Sequence, residues 1–93
     1  LGYTEFVVSI RFGGVRFIVY TNDHPPRHAH GFSGECEAII DLRSDGNVAL
    51  AKRADAVRPA NAKRSDIKKI LSAAAAHFEE LALLWGSIHE TKG

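Results

Sequence analysis

Phe6-Val7-Val8-Ser9-Ile10-Arg11-Phe12-Gly13-Gly14-Val15-Arg16-Phe17-Ile18-Val19-Tyr20 decides the fold class. In an extended chain Phe6, Val8, Ile10 and Phe12 fall on one side and Val7, Ser9 and Arg11 on the other. That period of two marks a half-buried strand. Gly13-Gly14 follows, and both positions tolerate positive φ, the chemistry of a two-residue hairpin. Val15 to Tyr20 is then a second strand, rich in β-branched and aromatic residues. Val15, Phe17 and Val19 share one of its faces; Arg16, Ile18 and Tyr20 share the other.

Beyond this hairpin, Asn22-Asp23 is turn chemistry, and Pro25 and Pro26 cannot donate ladder hydrogen bonds. An extended, polyproline-like passage is expected there. A third strand is read from about His28 to Leu42, with a bulge or bend at Gly31 and Gly34. Ser44-Asp45-Gly46-Asn47 turns the chain into a short fourth strand, Val48 to Lys52. Ala54 to Lys63 lacks periodicity, contains Pro59 and reads as a loop. Ser65 is the expected N-cap of a helix. Its apolar stripe runs through Ile67, Leu71, Ala74, Phe78, Leu81, Trp85 and Ile88, widened by Ile70 and Ala82. The sequence thus predicts an α+β fold: an antiparallel sheet of about four strands with one long C-terminal helix packed on it. The sheet is expected over about 4–53, a basic loop over 54–64 and the helix over about 65–90, in a single domain spanning 1–93. About 25 helical residues extend roughly 38 Å, further than a strand of ordinary length, so part of the helix is expected to overhang.

Ninety-three residues with 45% apolar content suit one small globular unit. No apolar run approaches the roughly 18 residues of a membrane span, so no membrane partner is expected. Cys36 is the sole cysteine, and no export signal is read; a cytoplasmic protein is expected. The net charge of +1 hides an uneven distribution. Lys52, Arg53, Arg58, Lys63, Arg64, Lys68 and Lys69 face only Asp55 and Asp66 over residues 52–69, while the remainder is net acidic.

Chemistry concentrates in Asp23-His24-Pro25-Pro26-Arg27-His28-Ala29-His30. Residues two apart on a strand share a face, which sets His28 and His30 roughly 7 Å apart, within reach of one ion. His24 could return over the prolines as a third metal ligand, with Asp23 orienting a histidine. A divalent metal such as zinc would accept that set and keep a position open. Metal-free acid–base catalysis on a phosphodiester is a second reading, with His24, His28, His30 and Asp23 as catalytic candidates. Arg27, Lys63, Arg64, Lys68 and Lys69 are the candidate phosphate or nucleic-acid binding residues. Lys68 and Lys69 stand in the first helical turn, where the macrodipole disfavours cations, and an anion held there would account for them. The third reading is structural: a polar clasp in which a buried histidine donates to a backbone carbonyl and accepts at its other nitrogen. His77, Cys36 and Trp85 read as packing residues. No phosphate-cradling Gly-rich loop, paired-cysteine metal spacing or Ser-His-Asp signature occurs.

Phe12, Gly14, Tyr20, Asp23, His24, Pro26, His28, His30, Glu37, Ala38, His77, Glu80, Leu81 and Trp85 together resemble the signature of a family of small bacterial proteins, domain-of-unknown-function family 4160. Its pattern runs Tyr-x-x-Asp-His-x-Pro-Pro-His-x-His, then a strand and hairpin, then His-x-x-Glu-Leu-x-x-x-Trp on a helix. Arg27 stands at the family's second proline, Ala29 at a position often aromatic, and the loop from Ala54 to Arg64 is longer and more basic. The resemblance implies a small α+β fold and an accessory or mobile, toxin–antitoxin-like gene context; it implies no particular activity.

The expected function is therefore a non-enzymatic interaction or binding module. The alternative is a small hydrolase or nuclease using His24, His28 and His30, with or without a metal. Ala73, Ala76 and Leu83 form a second helix face through which a homo-oligomer, or a protein partner, is expected.

Overall fold

The computed structural model describes residues 7–89, with Val7 placed by its backbone. Phe6, the expected start of the sheet near residue 4 and the expected helix end near residue 90 lie outside the described residues. The first hairpin forms as its alternation dictates: β1 (Val7–Phe12) pairs antiparallel with β2 (Val15–Tyr20), Phe12 opposite Val15. Gly13, at φ 61°, takes the left-handed position of the turn.

The expected third strand is two strands. β3 (His28–Ser33) and β4 (Cys36–Leu42) form a hairpin closed at Ser33 and Cys36, with Gly34 at φ 58° in the turn. Gly34 therefore reverses the chain and does not merely bend it. Gly31 answers to packing: a Cβ there would lie 2.5 Å from Ile70 Cγ2 and 2.9 Å from Phe17 Cε1. The absent side chain lets the helix layer lie directly on β3.

β5 (Val48–Leu50) is shorter than the expected fourth strand, and β6 (Val57–Arg58) falls where a loop was expected. Both pair with the far edge of β4, β5 along Ile40–Leu42 and β6 along Glu37–Ala38. Ile39 lies between them. Its N–H donates to the Ala56 carbonyl at 2.8 Å, and its carbonyl accepts from the Ala51 N–H at 2.9 Å. Residues 51–56 thus leave the sheet and return to it at one residue of β4. Among the described residues the result is a six-stranded antiparallel sheet ordered β1-β2-β3-β4-β5 with β6 beside β5 on β4.

The expected single helix is also two: α1 (Arg64–Ala76) and α2 (Phe78–His89), parted at His77 with φ −119° and ψ 31°. Hydrogen bonds run across the break, from the His77 N–H to the Ala73 carbonyl and from the Leu81 N–H to the His77 carbonyl. The His77 ring stacks on Phe12 of β1, centroids 3.7 Å apart and planes 4° apart. α2 keeps Leu81 and Trp85 in the core beyond the break, so both helices pack on the sheet. Ser65 is not the N-cap. The first turn closes on the Lys63 carbonyl, which accepts from Ile67 N–H at 3.2 Å, so Ser65 lies within the helix.

Register sorts the two sheet faces. Val15, Phe17, Val19, Ala29, Cys36, Ala38, Ile40 and Leu42 bury against Ile70, Ala74, Leu81 and Trp85 in one core. Each large side chain so buried contributes about 1.5–3 kcal/mol. The alternate residues Ile18, His30 and Ile39 are cross-strand neighbours on the opposite face, and Ile18 and Ile39 are buried there too. No described helix is long and apolar enough to cross a membrane.

Candidate metal centre

The β2–β3 ladder stops at Ile18 and His30, although β2 continues to Tyr20 and β3 begins at His28. The strands part at this end of the sheet because the chain must leave β2 through Thr21–Arg27. A tight turn opens that passage. The Asp23 N–H donates to the Tyr20 carbonyl at 3.2 Å, and the Tyr20 N–H approaches Asp23 Oδ2 at 3.4 Å. The turn directs Asp23 towards β3 and leaves His24 exposed. Pro25–Pro26, joined by a cis peptide, carries the chain on to β3.

Asp23, His28 and His30 meet. Their ligand-capable atoms all lie within 4.8 Å of one another. Asp23 Oδ2 is 3.3 Å from His28 Nε2 and 3.5 Å from His30 Nε2. The other ring nitrogens are already committed. His28 Nδ1 is 2.9 Å from the Pro26 carbonyl, and His30 Nδ1 is 3.2 Å from Glu37 Oε2. A carbonyl and a carboxylate only accept, so each Nδ1 carries the proton and donates it. In the neutral rings both Nε2 lone pairs then face the same carboxylate oxygen. Nε2 of His30 is buried without a hydrogen-bond partner; its contact with Asp23 is an electrostatic approach at 3.5 Å and no more.

Two lone pairs converging on an anionic oxygen repel unless a metal ion, or a proton on one Nε2, stands between them. A tetrahedral ion with bonds of about 2.0–2.1 Å holds its ligands about 3.3–3.4 Å apart, close to both distances to Asp23; the third edge, between the two histidines, lies within 4.8 Å and would close on binding. Acceptors that fix the Nδ1–H of ligating histidines are the usual outer support of such a centre. The clasp reading keeps its loop contacts, since Asp23 caps the turn after Tyr20. His28 does tie the loop to the strand through Pro26, but His30 Nε2 accepts from nothing.

The remaining candidates lie elsewhere. His24 stands on the rim of a cleft of about 490 Å³, lined also by Asp23, His28, Ile39, Asp41, Lys52 and Arg53, and outside the three-residue cluster. Arg27 is occupied by the scaffold: Nε donates to the Leu42 carbonyl at 2.8 Å, one terminal nitrogen to the Arg43 carbonyl at 3.2 Å, and the guanidinium lies over Phe78. Lys63, Arg64, Lys68 and Lys69 are exposed at the start of α1. Lys69 Nζ lies over Gly14 and Asp66 beside Gly34, so this patch sits by the hairpin turns, at the end of the sheet opposite Asp23. Ala73 packs against the core, Ala76 is exposed, and Leu83 is 74% exposed. With the break at His77 the last two belong to different helices.

Sequence reasoning did not single out Glu37, Lys52 and Arg53 as site residues. Glu37 could be found once Gly34-Glu35 is seen as a turn, because that register sets Glu37 diagonal to His30. Around the cluster, His28 contacts the His30 ring at 5.4 Å and Trp85 of α2 at 5.3 Å, and Trp85 stacks with His89.

Fold and site together define a small α+β protein with two histidines and one carboxylate gathered where two strands part. Within that class, the chain belongs to the family described as domain of unknown function (DUF4160), whose model matches residues 14–86 and so takes in the whole cluster. Comparison with curated proteins and with solved structures gave no match.

Proposed function

We propose that this protein is a small binding module that holds one divalent transition-metal ion through Asp23, His28 and His30. One observation carries the reading: both Nδ1 atoms are spent on acceptors while both Nε2 atoms converge on Asp23 Oδ2. Two nitrogens and one oxygen suit zinc, cobalt or iron(II) better than magnesium or calcium, which favour all-oxygen sites. The accessory, toxin–antitoxin-like context implied by the family pattern is compatible with a binding role. Self-association through Ala76 and Leu83 is a separate part of the proposal, as is nucleic-acid binding at Lys63, Arg64, Lys68 and Lys69.

The hydrolase alternative keeps one supporting observation. Three protein ligands leave a metal position open, and the cleft reaches Asp23 and His28 directly. Metal-dependent cleavage of a phosphodiester, lost with the metal, would favour it.

Zinc titration by calorimetry tests the main reading. One ion per chain is expected, with at least tenfold weaker binding in His30→Asn and unchanged far-ultraviolet dichroism. Absence of zinc binding, together with a large fall in melting temperature for His30→Asn, would return the cluster to the clasp reading.

A further inference from the structure

The cleft beside the cluster has two kinds of wall. Asp23, His28 and Ile39 form one side, and Lys52 and Arg53 enter from the excursion at residues 51–56. Lys52 is exposed and forms no described ion pair or hydrogen bond. Arg53 is oriented by Asp55, with Nε at 2.5 Å and a terminal nitrogen at 2.9 Å from its two oxygens. That fork sets the guanidinium plane and leaves further N–H donors unspent. Asp41 also lines the cleft and opposes them. Within the lining Asp23 and Asp41 balance Lys52 and Arg53, and Asp55 just outside it already partners Arg53, so it is a divalent ion that would add two positive charges here.

We propose that this cleft binds a phosphate group, free or esterified, with one oxygen on the metal and the others facing Lys52 and Arg53. A phosphate dianion matches the two charges the ion adds, and its oxygens match a planar guanidinium beside a point-charge ammonium. The cleft is several times larger than a phosphate alone, which leaves room for the remainder of an ester. Phosphate binding is therefore conditional on the metal. The inference rests on the metal-binding reading and extends it to a ligand class.

Cobalt(II) serves as the probe, because its visible absorption reports first the protein ligands and then any anion that joins them. The full chain is loaded with cobalt and titrated with inorganic phosphate, phenyl phosphate and acetate in separate experiments. Phosphate or phenyl phosphate should change the cobalt spectrum at millimolar concentration or below, at least tenfold more tightly than acetate. The arm that binds more tightly identifies the free or esterified source. Lys52→Ser/Arg53→Ser should keep the cobalt spectrum and weaken phosphate binding at least tenfold; both positions are exposed, and dichroism verifies the fold. A cobalt spectrum that no phosphate ligand alters overturns the inference and leaves the metal reading standing. Equal binding by acetate, or by the double variant, overturns it likewise. Failure to bind cobalt overturns both.

Discussion

Replacing Gly31 with alanine tests how the helix layer meets the strand that carries both histidines. The new Cβ would lie 2.5 Å from Ile70 Cγ2 and 2.9 Å from Phe17 Cε1, whereas ordinary contact begins near 3.4 Å. Ile70 must retreat by about 0.9 Å and Phe17 by about 0.5 Å, against neighbours already in contact. Both side chains are fully buried, so neither has an open direction. Overpacking of this kind costs about 1–3 kcal/mol, offset by about 0.4–1 kcal/mol because alanine narrows the unfolded ensemble. A net loss of about 1–2 kcal/mol is expected, a fall in melting temperature on the order of 4–16 °C for a chain of this size. Urea denaturation of Gly31→Ala, Ile70→Ala and the double variant isolates the cause. Ile70→Ala alone should cost about 2–5 kcal/mol through its cavity, and the pair should cost less than the sum by about 1 kcal/mol, since the Cβ occupies vacated space. Costs that add to within about 0.5 kcal/mol would refute the packing argument.

Three further outcomes are expected. Glu37→Gln keeps an acceptor near His30 Nδ1 but removes its charge, so zinc affinity should fall about tenfold, short of the loss in His30→Asn; equal affinities in calorimetry would remove Glu37 from the support of the site. Burial first, then Asp66 and Glu37, pushes the Cys36 thiol above its ordinary value. The thiol therefore stays protonated at pH 8, and a disulfide reagent should label native protein roughly a hundredfold more slowly than urea-unfolded protein, a factor set by local opening of about 3 kcal/mol; equal rates would contradict its burial. Leu83→Glu should abolish any concentration-dependent dimer seen by sedimentation while leaving the melting temperature within about 1 °C, because the side chain is 74% exposed. A dimer that survives the change does not use this face.

The parts of the fold legible in the sequence are those where local signals agree. Phe12-Gly13-Gly14-Val15 marks its hairpin through alternation and glycine together, and it forms with Phe12 opposite Val15. Ser33-Gly34-Glu35-Cys36 holds one glycine amid polar residues, so reversal and bulge look alike until pairing across the sheet decides. β6 has only two residues before Pro59 and exists because β4 offers it an edge. No proline or glycine marks His77. The break there comes with a stack on Phe12, distant in sequence and invisible to helical periodicity. The shared face of His28 and His30 follows from strand parity alone. Which of Asp23 and His24 turns inward does not, since it depends on the Tyr20–Asp23 turn. The cations across the cleft from the cluster were hidden for a similar reason: Lys52 and Arg53 line it only because residues 51–56 return to Ile39.

That return has an evolutionary consequence. The excursion leaves and rejoins the sheet at one residue, so its length and composition can drift without disturbing the register of β4 or the pairs that flank Ile39. Lengthening such a loop is thermodynamically mild, about 0.6 kcal/mol per doubling. Asp23, His28 and His30 sit on other segments, and Ile39 lines the same cleft as the excursion. Selection could thus exchange Lys52 and Arg53 while Asp23, His28 and His30 stay fixed, changing the far wall of the cleft on an unaltered core.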